Sequence, residues 1–269
     1  MTQSEKAKLL RDLHHGGQIL VLPNAWDVAS AVVFEQAGFP ATATSSAGVA
    51  AVFGYPDGQH ISADLMLDMV GRIIRAVSTP VTADLESGYS DPVQTALRLV
   101  ELGGAGLNLE DAREEDPATL IDLATQVELI RTIRSKTNLV INARTDIYLA
   151  GVGDPATRFE RTVERLNAYR DAGADSLFAP GVKDADLIGR LVRAVKGPLN
   201  ILGVAGGPLI SQLQQLGVAR VSLGSGPARA ALGVARRLAK ELLEQGTYAA
   251  MIDGALTYAE VQRMLSAAN

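Results

Sequence analysis

Cysteine is missing from this sequence of 269 residues, which excludes disulfide bonds, thiolate metal ligands and cysteine nucleophiles. Long apolar runs are missing too, since none approaches the roughly 18 residues that would span a bilayer. The start of the chain, MTQSEKAKLLRDLHHGG, lacks the apolar segment of a signal peptide, so we expect a cytoplasmic protein. Basic residues are not in excess, because the formal net charge is −5. This acidic balance argues against nucleic acid and against an anionic membrane as partners.

The composition itself is typical of a globular protein, with 47% hydrophobic and 20% charged residues. A recurring pattern organises the chain: a helical segment stops at glycine, and a short apolar run follows. Glycine fits the left-handed cap that ends a helix, and the short runs are typical of buried strands. The pattern is found at AGFPATAT, GGAGLNLE, AGADSLFA and LGVARVSL.

Apolar runs of strand length recur at even spacing, and helical segments separate them. They are ILVL (19–22), ATAT (41–44), PVTAD (80–84), GLNLE (106–110), LVINA (139–143), DSLFA (175–179), LNILG (199–203) and RVSLG (220–224). Apolar strands that alternate with helices indicate a parallel sheet covered on its faces. Eight such units in roughly 250 residues predict a (β/α)8 TIM barrel over residues 1–246, and a doubly wound open sheet is the competing fold. Three Asp-Pro pairs, at 91–92, 116–117 and 154–155, each predict the start of a helix.

Acidic residues cluster where the predicted strands end, which is where the functional residues of such barrels collect. Asp84 and Glu86 follow the third strand, and Glu110 and Asp111 follow the fourth. Carboxylates this close would repel one another strongly without a countercharge. A divalent cation supplies one, and ligands that are all oxygen favour Mg²⁺, with Mn²⁺ second, over Zn²⁺. The alternative is that the acids pair with arginines around the rim of the barrel.

Other strand ends offer groups that suit an anionic substrate. Arg144, after the fifth strand, either neutralises the acids or holds a carboxylate through two hydrogen bonds. Ser45 and Ser46 follow the second strand and offer hydroxyl and backbone N–H donors. No lysine stands at a strand end, which argues against a Schiff-base aldolase. Glycine turns after the last two strands, at 206–207 and 224–226, leave a phosphate- or flavin-binding barrel open as a further function.

Several motifs together resemble the isocitrate lyase/phosphoenolpyruvate mutase superfamily over nearly the whole chain. They are SSAGVAAVFGYPD (45–57), ADLESGY (83–89), LNLEDA (107–112), NARTD (142–146) and LGVARVSLGS (216–225). The resemblance implies a Mg²⁺-dependent enzyme that makes or breaks a C–C or C–P bond beside a metal-bound, pyruvate-like enolate. Its substrate would be a 2-oxo or 2-hydroxy di- or tricarboxylate.

The same resemblance implies which residues hold the metal ion. Asp84 matches the acid that binds Mg²⁺ in the superfamily. Glu86 and Glu110 match the acids that hold the water shell of the ion. These three residues are therefore the candidate metal ligands, with Asp84 also close to the substrate.

The resemblance also implies how the substrate is bound. Ser45, Ser46 and Ala47 match the loop that binds its 2-oxo-carboxylate end, and Arg144 matches an arginine clamp. Asp57 matches an acid of a mobile loop that takes part in catalysis in some members. The candidate catalytic residues are therefore Asp57, Glu110 and Arg144.

One departure from the superfamily bears on the activity. The lyases carry a K-[KR]-C-G-H lid whose cysteine is the acid or base, whereas here Asp111 is followed by AREEDPATLIDL (112–123). This segment predicts a direct entry into a helix. We therefore expect a lyase, hydrolase or decarboxylase with little isocitrate or 2-methylisocitrate lyase activity. The alternative is a protein that binds pyruvate, oxaloacetate or 2-oxoglutarate with little turnover.

The sequence predicts a helical tail over residues 247–269, which a barrel does not require. A helix predicted over 228–244 ends before Gly246, and Thr257 and Glu260 form a capping-box pattern ahead of a second helix. The apolar residues of this second helix need cover, and members of the superfamily exchange C-terminal helices between subunits. We therefore expect a homodimer or homotetramer with exchanged helices, and a tail folded across its own barrel is the alternative.

Overall fold

The computed structural model describes residues 1–113, 116, 119–252 and 254–266. Its strands are β1 (Leu20–Leu22), β2 (Asn24–Ala25), β3 (Thr42–Thr44), β4 (Val81–Asp84), β5 (Gly106–Glu110), β6 (Val140–Arg144), β7 (Ser176–Phe178), β8 (Leu199–Leu202) and β9 (Arg220–Ser222). Its helices are α1 (Gln3–Leu13), α2 (Val28–Gln36), α3 (Ser46–Val52), α4 (Ala63–Ala76), α5 (Pro92–Glu101), α6 (Leu123–Lys136), α7 (Arg158–Asp171), α8 (Ala185–Ala194), α9 (Ile210–Gln215), α10 (Gly226–Gln245) and α11 (Tyr258–Ser266). Short 3-10 turns cover Pro155–Thr157 and Ala249–Met251.

All the strands lie in one parallel sheet with the order β1-β9-β8-β7-β6-β5-β4-β3-β2. β1 and β2 belong to one stretch of chain that Pro23 divides, so the sheet returns to its own first strand and closes into a barrel. Asn24 reinforces the closure, because its Nδ2 donates to the Thr44 carbonyl and its Oδ1 accepts from the Leu223 N–H, both at 2.7 Å. The predicted (β/α)8 TIM barrel is confirmed, with its first strand in two pieces.

Aspartate caps begin helices where two of the Asp-Pro pairs predict them. The Asp91 carboxylate accepts a hydrogen bond from the Gln94 N–H at 2.9 Å, at the start of α5. The Asp154 carboxylate accepts one from the Ala156 N–H at 2.9 Å, in the 3-10 turn that leads into α7. No helix in the described part of the chain is both long and apolar enough to cross a bilayer.

The segment after β5 does not enter a helix directly, contrary to the prediction from Asp116-Pro117. An isolated antiparallel bridge pairs Ala112 with Leu120. α6 begins only after Asp122, whose side chain accepts two backbone N–H groups of the first turn at 3.0 and 3.3 Å. Asp122, which caps the first turn with two hydrogen bonds, therefore starts the helix in place of Asp116. Pro117 lies outside the described residues.

The main apolar core lies between the sheet and the surrounding helices, whereas the interior of the barrel holds polar side chains together with a smaller apolar cluster that includes Leu20, Leu22 and Val140. Leu107, Leu109 and Ile141 belong to the same buried apolar cluster as residues of the helices. The residues that alternate with them along the strands are buried and mostly polar. Across the strands this second set includes Thr82, Asn108, Asn142, Ser176, Asn200 and Arg220. The strands are thus apolar on their outer face, and their inner face mixes polar and apolar side chains.

The tail packs against its own barrel through α11. Met264 is buried in the main apolar cluster, and α11 lies against α2. The capping box is confirmed: the Glu260 N–H donates to the Thr257 hydroxyl at 3.2 Å, and the Thr257 N–H donates to the Glu260 carboxylate at 2.7 Å. Within the single chain this helix therefore packs against its own barrel, as in the alternative given by the sequence. Its exchange between subunits stays a prediction.

Candidate active site

Neighbouring strands bring the predicted acids and arginine together at the carboxyl end of the barrel. In the strand register Asp84 lies beside Asn108, and Glu110 lies beside Arg144. Asp84 is buried, and one of its oxygens accepts from the N–H and the hydroxyl of Ser46, at 3.1 and 2.9 Å. The other oxygen accepts from Asn108 Nδ2 at 3.2 Å. Donors on both oxygens fix the orientation of this carboxylate.

Glu86 has a strained backbone and a buried carboxylate oxygen that lacks a hydrogen-bond partner among the described residues. Its backbone φ is 55°, in the left-handed region that favours glycine. Its side chain is buried, and Oε1 has no hydrogen-bond partner among the described residues. Burial, together with the carboxylates of Asp84 and Asp57, raises the pKa of Glu86 to about 8. Both features are typical of a functional site.

Arg144 lies between two acids. Its Nε donates to Asp146 Oδ1 at 2.7 Å, and its Nη1 donates to Glu110 Oε1. Burial alone would lower the pKa of Arg144, but the two carboxylates outweigh it and raise the pKa. Burial raises the pKa of Glu110 well above its usual range, although Arg144 acts in the opposite direction. One arginine therefore does not offset the acids that surround it.

Asp111 does not belong to the acidic group that the sequence predicts. It is fully buried, and its Oδ2 accepts from Arg165 Nε at 2.8 Å and from the Tyr169 hydroxyl at 2.7 Å. Its Oδ1 accepts from the Asp146 N–H at 2.9 Å. For this residue the alternative of pairing with an arginine is correct. The partners lie on α7, far along the chain, so strand-end spacing could not reveal them.

Asp57 adds a further acid from the loop between α3 and α4. Its Oδ1 lies 3.4 Å from the Ser46 hydroxyl oxygen, whose single proton is donated to Asp84 at the shorter distance of 2.9 Å. Gln59 ties this loop to the turn after β4, because its Nε2 donates to the Ser87 hydroxyl at 2.8 Å and its Oε1 accepts from the Tyr89 N–H at 2.6 Å. Burial and a neighbouring carboxylate raise the pKa of Asp57. The loop therefore brings Asp57 next to Ser46, the residue that also holds Asp84.

The segment from Ser45 to Ala47 forms one wall beside Asp84. Ser45 caps α3, since its hydroxyl oxygen accepts from the Gly48 N–H at 3.2 Å. Gly48 approaches Trp26 so closely that an added Cβ would lie 2.7 Å from the Trp26 Cβ. Trp26 is therefore a packing residue here, while Ser45 and Ala47 line the cavity.

Two adjoining cavities, of about 340 and 380 Å³, open at this end of the barrel and share Arg144 in their walls. The first is acidic, because Glu86 and Glu110 line it. The second extends to Lys183 and Arg229, and neither of these forms a salt bridge among the described residues. Sequence reasoning missed both basic residues, because they follow the strand ends by several positions. Positive charge in the loop after β7 and in the first turn of α10 was the available signal.

The donor set of the acidic cavity fits Mg²⁺ better than a transition metal, because its candidate ligands are carboxylate oxygens. Within the described residues, no three acidic, histidine or cysteine side chains converge closely enough to bind an ion by themselves. A cation held directly by Asp84, with water between it and Glu86 and Glu110, agrees with this geometry, since Mg²⁺ keeps several of its waters. The unpartnered Oε1 of Glu86 is an acceptor for such a water.

Comparisons with known proteins place this geometry in context. A model of the phosphoenolpyruvate phosphomutase family matches residues 10–243. An uncharacterised protein of Mycobacterium tuberculosis (strain H37Rv) is 37% identical over 256 residues, which cover 94% of this chain and 95% of that protein. The 2-methylisocitrate lyase of Aeropyrum pernix is 27% identical over 266 residues, which cover 94% of this chain and 84% of the lyase. A Burkholderia cenocepacia J2315 structure described as a lyase/mutase is 38% identical, with a TM-score of 0.88 and coverage of 97% of this chain and 95% of that one.

Proposed function

This chain belongs to the phosphoenolpyruvate mutase/isocitrate lyase superfamily, and we propose that it is a Mg²⁺-dependent lyase, hydrolase or decarboxylase of 2-oxo or 2-hydroxy carboxylates. The observation that carries the proposal is the acidic cavity. There Glu86 presents a buried oxygen without a partner among the described residues, and Asp84, in the wall of the adjoining cavity, is oriented by donors on both oxygens. Uncompensated acids of this kind cost stability, so they are typical of a site that binds a cation and a ligand.

Each acidic or basic residue of the two cavities has a separate role in the proposed reaction. Asp84 would bind the cation directly, and Glu86 and Glu110 would orient its waters. Arg144 lies in the wall of both cavities, where its guanidinium can hold a substrate carboxylate by two hydrogen bonds. The cation, when bound, supplies a Lewis acid that stabilises negative charge on an enolate oxygen.

The second cavity supports a substrate with more than one carboxylate. Lys183 and Arg229 place positive charge on its wall, and Arg144 is shared with the acidic cavity. A ligand that contacts Arg144 and also these two residues needs an anionic group at each end. Oxaloacetate and related 2-oxo or 2-hydroxy dicarboxylates meet this requirement, whereas pyruvate does not.

The acid or base of the reaction differs from that of the lyases with a lid cysteine. After β5 this chain presents Ala112 and Arg113 to the cavity, and neither exchanges a proton near neutral pH. Asp57 lies over the cavity and has a raised pKa, so it is the candidate for this role. If the protein binds 2-oxo acids but does not turn them over, it is a binding protein, which is the second candidate function.

A panel of 2-oxo and 2-hydroxy mono-, di- and tricarboxylates tests the proposal, with turnover and thermal shift measured in Mg²⁺ and in EDTA. We expect dicarboxylates to be turned over in Mg²⁺ and not in EDTA. Asp57→Asn should reduce kcat, while the ligand still raises the melting temperature of this variant. Lys183→Met should weaken the binding of a dicarboxylate roughly tenfold and leave the binding of a monocarboxylate unchanged. Arg72→Met, which changes an exposed arginine on α4, is the control.

The outcomes separate the candidates. Thermal shift without turnover across the whole panel would favour the binding protein. Equal turnover in Mg²⁺ and in EDTA would reject the metal-dependent enzyme. Equal effects of Lys183→Met on mono- and dicarboxylates would reject the two-ended substrate.

We also infer a homodimer or homotetramer of cytoplasmic location, with the barrel in residues 1–246 and a subunit contact in residues 247–269. Leu243 is 88% exposed, Ile252 74% and Tyr258 82%, so apolar side chains of α10 and of the tail face solvent in the single chain. Light scattering should show a dimer or tetramer, and truncation after Gly246 should shift it to smaller or aggregating species. A full-length monomer at micromolar concentration would contradict this inference.

A further inference from the structure

Arg220, on β9, is among the largest fully buried side chains of the described residues and lies inside the barrel. Its Nη2 donates to Asn108 Oδ1 at 3.3 Å, whereas Nε and Nη1 have no hydrogen-bond partner among the described residues. Burial lowers the pKa of Arg220 to about 9, and Asp84 is the charge that opposes this effect. A guanidinium in such a position is costly unless a nearby negative charge offsets it.

The hydrogen bonds of Asn108 lead from Arg220 to Asp84. Asn108 Oδ1 accepts from Arg220 and also from Asn142 Nδ2, which lies at 2.7 Å. Two donors on the oxygen fix the amide, so its Nδ2 faces Asp84 and donates to Oδ1 at 3.2 Å. The hydroxyl of Ser46 holds the other oxygen of Asp84. The carboxylate is therefore oriented from inside the barrel as well as from the rim.

We propose that Arg220 is a positioning residue for Asp84, which sets the orientation of this carboxylate through Asn108 and offsets the charge of the acids at the carboxyl end of the barrel. The inference rests on the proposed Mg²⁺ site. It adds a residue that touches neither the cation nor the substrate. Its consequence is that the core of the barrel helps to set the affinity for the cation.

A role in packing alone makes a different prediction. A methionine of similar length would fill the same space without burying a charge, and replacing buried ions by apolar residues is often neutral or stabilising. If Arg220 only fills the barrel, Arg220→Met leaves the affinity for Mg²⁺ unchanged. If it positions Asp84, the same variant folds and binds Mg²⁺ more weakly.

Isothermal titration of Mg²⁺ into the full-length protein distinguishes these roles, with folding checked by circular dichroism. We expect the Kd for Mg²⁺ to rise about tenfold in Arg220→Met and about threefold in Arg220→Lys, which keeps the charge but not the planar donors. Thr42→Val removes another buried polar group that has no hydrogen-bond partner in the described structure, and should leave Kd unchanged. If Arg220→Met does not fold, Arg220→Lys decides. An unchanged Kd in the folded Arg220 variants overturns the proposal.

A measurement in EDTA keeps this inference separate from the metal assignment. Asp84→Asn removes the charge that Arg220 offsets, so the two substitutions should be coupled in a double-mutant cycle of urea unfolding. The loss of urea midpoint caused by Arg220→Met should at least halve in the Asp84→Asn background. Additive effects would overturn the role of Arg220. Coupling together with no Mg²⁺ binding by the wild-type protein would reject the proposed function and leave the pairing of Arg220 with Asp84 standing.

Discussion

The two ends of the barrel differ in whether their acidic side chains are paired with positive charge. At the amino end, Asp175 accepts from Arg11 Nε at 2.6 Å, from Arg134 Nη2 and from the Ile141 N–H at 2.8 Å. At the carboxyl end, several acids surround Arg144, and an oxygen of Glu86 has no partner among the described residues.

This difference separates what stabilises the fold from what serves the ligand. One acid with two arginines and a backbone donor is a satisfied network, and its loss costs stability. A surplus of acids costs stability as it stands, and only a bound cation and ligand offset it. Substitutions at the amino end should therefore change the free energy of unfolding, and those at the carboxyl end should change affinity.

The largest expected effect is on ligand affinity at the carboxyl end. Arg144→Lys keeps the charge but loses the planar pair of donors, so the affinity for a 2-oxo acid should fall by about 2–5 kcal/mol, or at least ~30-fold. Calorimetry measures this loss, and urea unfolding should show little change in stability. Unchanged affinity would place Arg144 among the structural arginines, with Arg165.

A pH-dependent effect of intermediate size is expected at the amino end. His14 is buried, and its pKa is lowered to about 3, first by burial and then by the charge of Arg220. The folded state therefore favours neutral His14, whose stabilisation is complete above pH 6.5 and is lost as the pH falls toward 3. This loss should reach about 3 kcal/mol at pH 4.

The variant His14→Phe checks the effect, because it removes the titrating group from the core. Between pH 6.5 and pH 4, its free energy of unfolding should fall less steeply than that of the wild-type protein. His15→Phe, which changes the adjacent exposed histidine, should keep the wild-type slope. Equal slopes in both variants would contradict the assignment.

The smallest effect of the three concerns the satisfied network. Asp175→Asn removes the charge between Arg11 and Arg134, whose side chains are 33% and 26% exposed. The expected loss is about 2 kcal/mol, between the values for exposed and for buried ion pairs. Asp12→Asn, in an exposed pair with Lys8 on α1, is the control. A changed ligand affinity in Asp175→Asn would contradict the claim that charges at the amino end affect stability alone.

The sequence predicts most of the strands and helices, because the patterns that identify them are local. Short apolar runs, four of them after a glycine, identify the strands, and Asp84, Glu110 and Arg144 lie at the strand ends where predicted. Asp111 shows the limit, since its partner Arg165 follows 54 residues later and only the fold brings them together. Arg220 shows it again: the run RVSLG predicts a strand, but the inward direction of its first side chain depends on closure of the barrel.

One measurement tests the central claim, that the acids at the carboxyl end form a Mg²⁺ site for 2-oxo acids. Calorimetry of pyruvate and of oxaloacetate binding is carried out in Mg²⁺ and in EDTA, with the wild-type protein and with Asp84→Ala. We expect binding by the wild-type protein in Mg²⁺ and none in EDTA. Asp84→Ala should be folded and bind neither ligand in either buffer. Binding that is the same in EDTA as in Mg²⁺ would contradict the claim.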